Sequence, residues 1–444
     1  MRRILTTNRG TEVTIEAQSF DKGGEGSVHR ITTSGPPNVC AKIFHSNKNL
    51  EAIERKIKYM AYNVPTNAIA NNYKVCWPKD ILYDNNKFVG YTMPLAFTGS
   101  QTLYNLCQGN NNKLPDNWKN KFDRYSNSGM TNRVKLCVNI SAALYIIQRM
   151  NSYVIADLKP QNVMITLNGK VSIIDCDSIQ ISSNNNLLFP ARVATPDYMP
   201  PESTKIDLQN ESIPSYWDFF SMAVMYYQVF LGIHPYTASF TGKYENSNTI
   251  QSKISEGLFV HGRQKSFINT LPPPHNNYEY LPPSLKHLFI RAFEYGHVNP
   301  TSRPDTEEWG KTLYAEVEQN SIKGMKPIPT HTGRIHIETS VSNPAPAPVP
   351  HPKKVKKYLF IALLYQLIGR GIYYLDYKNK TPNKKRIYFR LFIAAILGIF
   401  LIPFDIPLIS FIGDLAAFIG LITTYLIGII ETISLYVNQL NNKY

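Results

Sequence analysis

The stretch IADLKPQNVMI, residues 155–165, sets an acid, a lysine and an asparagine inside an apolar frame, and DCDS follows at 175–178. Asp157 and Asn162 are five positions apart, and Asp175 comes eighteen after Asp157. The runs NVMIT and KVSIID between them have strand character, so the spacing predicts a loop and then a hairpin that returns Asp175 to Asn162. Amide and carboxylate oxygens brought together suit a hard cation such as magnesium held against a nucleotide. Asp157 would then stand near an incoming hydroxyl, and Lys159 could neutralise charge on a moving phosphoryl group. The alternative is a polar loop between two strands.

Upstream, FDKGGEGSVHRI (20–31) puts a glycine cluster between two strand-like runs. Bare backbone there can approach a phosphate closely and donate N–H groups, although a glycine-rich hairpin turn reads the same way. Lys42 lies in the apolar strand VCAKIF, fourteen residues after Val28. A lysine in such a strand either has a partner or snorkels from a sheet edge. The segment NLEAIERKIKYMAYNV (49–64) has Ile53, Ile57 and Met60 at helical spacing, with Pro65 just beyond, and could supply Glu51 or Glu54 as that partner.

Taken in order, these motifs resemble the eukaryotic-type (Hanks-type) protein kinases in their bacterial form. DLKPQN resembles the catalytic loop D-x-K-x-x-N, and IIDCD stands where the family has D-F-G. ATPDYMPPE resembles the end of the activation segment, WDFFSMAV the start of the central helix, and NPTSRP the motif that supplies a buried arginine. The correspondence runs from about residue 12 to 318. It implies an α+β, bilobal protein-kinase-like fold, with ATP and magnesium (or manganese) as cofactors and protein hydroxyls as acceptors. Gly23, Gly24, Gly26 and Val28 would cover the phosphates, Asp21 standing where the first glycine is usual. Lys42, paired with Glu54, would hold the non-transferred phosphates. Met93, Pro94 and Leu95 would line the adenine site through backbone groups. Asn162 and Asp175 would bind the metal, and Asp157 would take the hydroxyl proton with Lys159 beside it. Glu202, Asp218 and Arg303 would be structural, Arg303 pairing with Glu202. Lys159 and Thr195 fit the serine/threonine pattern. The family's H-R-D is Ile155-Ala156-Asp157 here, so control through an activation-loop phosphate on that arginine is not expected. Asp175-Cys176-Asp177 with GGEG resembles a divergent bacterial branch, the YegI-like kinases. A pseudokinase scaffold that binds nucleotide and signals by conformation is the competing reading.

The strand-like runs EVTIEA, SVHRI, VCAKIF and KFVGYTM predict a small antiparallel sheet with one helix over residues 1–98. Residues 99–322 are expected as the second lobe, helical after residue 130, NRVKLCVNISAALYIIQRMN presenting Val134, Val138, Ala142 and Tyr145 on one face and WDFFSMAVMYYQVFLGI apolar nearly all round. A Pro-rich linker is expected at 323–356 and a membrane region of two to three helices at 357–444. Apolar runs at 391–413 and 415–437 are each long enough to span; 358–369 is short, and a buried helical domain is the alternative. The net charge of +15 is concentrated: residues 351–390 hold eleven Lys or Arg and one acid. A basic block beside apolar runs reads as membrane-surface charge, with no nucleic-acid partner, and places the kinase-like part on the cytoplasmic side. Asp405, Asp414 and Glu431 are read as lying at helix ends or in a turn, with intramembrane functional acids as the alternative. No apolar run follows the basic N-terminus, so no signal peptide is expected. The five cysteines form no C-x-x-C, so neither zinc nor a disulfide framework is expected. Expected partners are ATP, protein substrates and a lipid bilayer, and a homodimer is compatible with the sequence.

Overall fold

Strand alternation is clearest near the N-terminus, where Val13 and Ile15 turn inward while their neighbours stay in contact with solvent. In the computed structural model, the described residues are 2–327, apart from 33–37, 47, 110–113, 151–152 and 184–185. Eight strands are formed before residue 95: β1 (Arg2–Thr7), β2 (Glu12–Glu16), β3 (Asp21–Lys22), β4 (Gly26–Arg30), β5 (Val39–Phe44), β6 (Tyr73–Val75), β7 (Ile81–Asp84) and β8 (Lys87–Pro94). Seven of them make one antiparallel sheet in the order β2-β1-β7-β8-β5-β4-β3. The sheet contains β1, β3 and β7 in addition to the expected strands. Leu5, Val13, Ile15, Ala41, Ile43 and Leu82 pack together on one side of it.

Helix α1 (Leu50–Tyr62) starts at Asn49, whose side chain accepts from the Ala52 N–H. It buries Ile53, Ile57 and Met60, as their spacing requires, together with Lys56. The strand β9 (Gln101–Thr102) leads into α2 (Asp116–Lys121) and α3 (Asn127–Gln148), the latter capped by the Ser126 hydroxyl. The expected apolar face of α3 is corrected in part: Val134 is buried and Val138 packs against the core as expected. Tyr145 is 36% exposed, while Leu136, Cys137, Ile140, Ala143, Leu144 and Ile147 are buried. This helix has neighbours on most sides, so amphipathic spacing does not identify its inner face.

The short strands β10 (Tyr153–Val154), β11 (Val163–Ile165), β12 (Val171–Ile173), β13 (Gln180–Ser183) and β14 (Asn186–Phe189) flank the opening motif. β11 and β12 form the expected hairpin, Val163 opposite Ile173, and β12 also pairs in parallel with β6. The central helix α4 (Tyr216–Leu231) buries 14 of its 16 side chains and stops at Gly232, whose φ is 74°. α5 (Ile250–Ser255), α6 (Pro283–Ile290), a last turn α7 (Gly296–Val298) and α8 (Thr306–Glu318) complete the helical part, α8 packing along α3. Arg133 of α3 is fully buried and donates to the carbonyls of Phe122, Leu106 and Val229, tying α3 to α4 and to the preceding loop. The architecture is the expected kinase-like α+β arrangement.

Among the described residues no helix is long and apolar enough to cross a membrane. The runs at 358–369, 391–413 and 415–437, the basic loop between them and the linker beyond residue 327 lie outside the described residues.

Candidate active site

The opening stretch folds as a loop held from beneath by α4. Ala156 has φ 63°, a left-handed conformation that costs a residue with a Cβ about 1–2 kcal/mol. The Asp218 carboxylate offsets that cost: it accepts from the N–H groups of Ile155 at 2.8 Å and Ala156 at 3.0 Å. Trp217 Nε1 donates to the Ala156 carbonyl at 3.1 Å. Burial pushes the Asp218 carboxyl up to about 7, against the pull of those two backbone donors. Ile155 and Ala156 are therefore used through their backbone.

Asp157 is 3% exposed at the top of this loop. Its Oδ2 accepts from Lys159 Nζ at 2.7 Å and its Oδ1 from Thr195 Oγ1 at 2.6 Å. Lys159 Nζ also donates to Thr195 Oγ1 at 2.9 Å, closing a three-residue ring. Asn162 donates its amide N–H to the Asp157 carbonyl at 2.9 Å, which turns the amide oxygen toward incoming groups. The Asn162 carbonyl accepts from the Ile174 N–H at 3.0 Å, so the hairpin brings Asp175 beside this loop. Asp175 itself is left-handed, φ 64°.

Above the loop lies a cleft of about 560 Å³, lined by Asp157, Lys159, Asn162 and Asp175 from below and by Lys42 and the glycine turn from the sheet. A Cβ at Gly26 would lie 2.3 Å from the Ile43 carbonyl oxygen, so that glycine is required by strand packing. Gly23 and Gly24 have open space at that position and line the cleft, but the Gly23 N–H is spent on the Gly26 carbonyl at 2.9 Å and its carbonyl meets His45 Nε2 at 3.0 Å. Val28, Met93, Pro94 and Leu95 form an apolar end suited to a planar ring. The expectation that Leu95 acts through its backbone is corrected: its N–H donates to the Asn38 carbonyl at 2.7 Å and its carbonyl accepts from Lys74 Nζ at 2.8 Å. The buried Lys74 beside this segment takes up the carbonyl, and Asn38 takes up the N–H at the end of β8.

The pairing of Lys42 with Glu54 is also corrected. Lys42 Nζ donates to Asp175 Oδ1 at 2.5 Å and to Asp177 at 2.7 and 2.9 Å. Asp177 also accepts from the Tyr91 hydroxyl at 2.8 Å. Glu54 instead takes Lys58 at 2.7 Å and the Tyr83 hydroxyl at 2.8 Å. On α1 the residue that faces inward with Ile53, Ile57 and Met60 is Lys56, so the helix offers an ammonium where a carboxylate was expected. Burial works against the charge of Lys42, but Asp177 and then Asp175 outweigh it and raise the group above its ordinary range. Burial likewise opposes the charge on Asp177, and the Lys42 ammonium and Tyr91 hydroxyl overcome it, holding that carboxyl below its ordinary range.

Tyr91 and Lys56 were not singled out from the sequence, and Asp177 was read only as an extra acid in the D-C-D motif, not as a partner of Lys42. Lys56 was visible as a cation within the Ile53–Met60 stripe, whereas the contact of Asp177 with Lys42 spans 135 positions and carries no local signal. Gly90 belongs with them: a Cβ there would lie 2.0 Å from the Lys42 carbonyl oxygen, so it allows β8 to pack against the strand that carries the lysine. Away from the cleft, Arg303 meets Glu202 through two bonds of 2.6 and 2.7 Å and also donates to the Tyr216 and Gly296 carbonyls. It is a buried bidentate clamp on the segment after Thr195.

Two carboxylates share one ammonium here, and Asn162 adds an amide oxygen, a hard donor set that fits a divalent cation held jointly with phosphate oxygens. Among the described residues no cluster of three or more His, Cys, Asp or Glu forms a closed metal site, so such a cation would need oxygens from its ligand.

Comparison with known proteins agrees with this geometry. Residues 101–314 match the protein kinase domain family. The chain is 23% identical over 336 residues to protein kinase YegI of Escherichia coli strain K12, covering 72% of this chain and 48% of that one. A similar match, 24% over 347 residues, joins it to YegI of Escherichia coli O157:H7. The mouse citron Rho-interacting kinase is 29% identical over 99 residues, 21% of this chain and 5% of its own. The chain thus spans about half the length of the YegI kinases. With a catalytic loop anchored on α4, a lysine across the cleft from it and these matches, the chain carries a protein kinase domain over residues 101–314 and is similar to the bacterial YegI kinases.

Proposed function

We propose that this chain is a membrane-tethered serine/threonine protein kinase that transfers the γ-phosphate of ATP to protein hydroxyls. The observation that carries the reading is the ring of Asp157, Lys159 and Thr195 facing Lys42 and Asp175 across one cleft. Asp157 orients the acceptor hydroxyl and receives its proton on a carboxylate oxygen. Lys159, already 2.7 Å from that carboxylate, stabilises charge on the transferred group. Lys42, held by Asp177, turns toward the non-transferred phosphates, and the backbone of Gly23 and Gly24 closes over them. Asn162 and Asp175 would hold magnesium, which supplies charge neutralisation on the phosphates when bound. Catalysis on this reading is positioning and electrostatics. Tethering rests on the apolar runs at 391–413 and 415–437 and on the basic block before them.

The test is incorporation of labelled phosphate by the full chain, with analysis of the modified residues. Asp157→Ala is expected to abolish incorporation, a loss of about a thousandfold or more, while ATP binding persists. Unchanged incorporation in that variant would remove Asp157 from its role, and phosphotyrosine as the main product would remove the serine/threonine assignment. One observation favours a second reading, the nucleotide-binding scaffold: Lys42 is engaged by two carboxylates and must give up part of that pairing to reach a phosphate. ATP binding without incorporation by the parent chain would select that reading.

A further inference from the structure

A second cavity, of about 740 Å³, lies between α1 and the segment that follows β14. Four cationic side chains line it, Lys48, Arg55, Lys56 and Arg192, against one acid, Glu25. Glu25 is committed to Lys48 at 2.9 Å. Lys56 is 2% exposed, and its Nζ has no hydrogen-bond partner among the described residues. Neither Arg55 nor Arg192 has a carboxylate partner among them. A buried ammonium without a partner costs several kcal/mol (order of magnitude), so such a group marks a site that something else completes. Three unpaired cations from two elements, converging on a polar and roomy cavity, define what that is.

We propose that this cavity is an anion site that takes a dianionic phosphoryl group, contacted by Lys56 and the guanidinium of Arg192. Arginine presents a planar fork that matches a phosphate edge, and lysine adds a point charge from the buried side. The opposite wall is formed by Leu188, Phe189 and Pro190, of which Leu188 is exposed and the other two are half-buried. The charged groups acting on Lys56 are Asp177, Arg192, Lys42 and Glu25, and burial draws it down to about 7; a phosphoryl group would restore its charge. The cavity shares Glu25, Lys48 and Arg192 with the nucleotide cleft but not Lys42, Asp157 or Asp175, so the site stands whether or not the chain transfers phosphate. Bound there, the anion would join α1 to the segment after β14, the two elements that flank Lys42 and Asp177. The phosphoryl group can come as free phosphate or on an esterified hydroxyl side chain.

The test is calorimetric titration of the full chain, with the cleft saturated by a non-hydrolysable ATP analogue and magnesium. The two probes are inorganic phosphate and a blocked phosphoserine monoester. Saturable one-site binding is expected, weakened about tenfold or more by Lys56→Met and by Arg192→Gln and unchanged by Lys311→Gln on α8. Tighter binding of the monoester assigns the source to a phosphorylated side chain; equal or tighter binding of inorganic phosphate assigns it to the free anion. The proposal is overturned if neither probe saturates, if the nucleotide analogue abolishes binding, or if both variants bind as the parent does. Arg192 is half-buried, so its variant keeps the test decisive even if the Lys56 variant were unstable.

Discussion

Lys42 shows how a single side chain can keep its place while its partner changes. A strand lysine that is 5% exposed needs a counter-charge, and here both carboxylates come from the D-C-D turn and none from α1. Asp177 is thereby a positioning residue for Lys42, and the extra acid of the motif has a structural purpose. Replacing it leaves the buried Lys42 ammonium with Asp175 alone and the Tyr91 hydroxyl without its acceptor, so Asp177→Ala should destabilise the fold by about 1–3 kcal/mol and raise the KM for ATP. Glu54→Ala removes an exposed pair with Lys58 and should cost about 1 kcal/mol or less, with kinetics near the parent's. Urea unfolding and ATP kinetics on the two variants check this together. A larger effect from Glu54 than from Asp177 would return the helix carboxylate to the lysine.

At the scale of elements, α1 and α4 illustrate opposite uses of burial. α1 buries Ile53, Ile57 and Met60 as a regular stripe and carries Lys56 within it at a cost. Lys56→Met replaces a desolvated ammonium by an apolar chain of similar length, and thermal unfolding of the anion-free chain should show about 1 kcal/mol or more of added stability. A lowered midpoint would mean that the ammonium is paired in solution. α4 is mostly apolar; besides Ser221 and Gln228, which meet Tyr198, its buried Asp218 reaches the catalytic loop. Asp218→Ala leaves two buried N–H groups without acceptors, about 1–3 kcal/mol each, and frees Ala156 from its left-handed conformation. Its mark should be a fall in kcat larger than any change in KM for ATP, since the loop carries Asp157 and not the adenine slot. An unchanged kcat would show that Trp217 alone holds the loop.

Across the whole molecule, three histidines set an acid limit on stability. His234 and His261 are pushed down to about 3 and His275 to about 4, in each case chiefly by burial, from an ordinary value of 6.5. They are neutral in the fold, His261 and His275 both meeting the Tyr227 hydroxyl. Between about pH 4 and 6.5 the unfolded chain binds protons that the folded chain does not, so stability rises with pH across that window and is lost as pH falls through it. Asp218, raised to about 7 from 3.8, and Asp175, raised chiefly by burial, act in the opposite sense over part of the same range, while Lys56, lowered to about 7, adds to the histidines near neutral pH. Urea unfolding at pH 7.5, 6 and 5 should give progressively lower stability, and a flat or rising series would show that these rings are solvated.

The order of motifs, the β11–β12 hairpin that joins Asn162 to Asp175, the apolar central helix, and the gathering of Asp157, Lys159, Asn162 and Asp175 at one cleft are all legible in the amino-acid sequence. These follow from short spacings, strand and helix periods and turn chemistry, which are local properties. Which acid meets Lys42, what Lys56 faces, and where the backbone groups of Leu95 are spent are settled by the packing of distant segments. That packing also decides which face of α3 is inside, because a helix with neighbours on most sides has no single apolar stripe to read. The shared reason is distance along the chain: Lys42 and Asp177 are 135 residues apart, and the energy of a buried ion pair depends on their packing together, which no local pattern encodes.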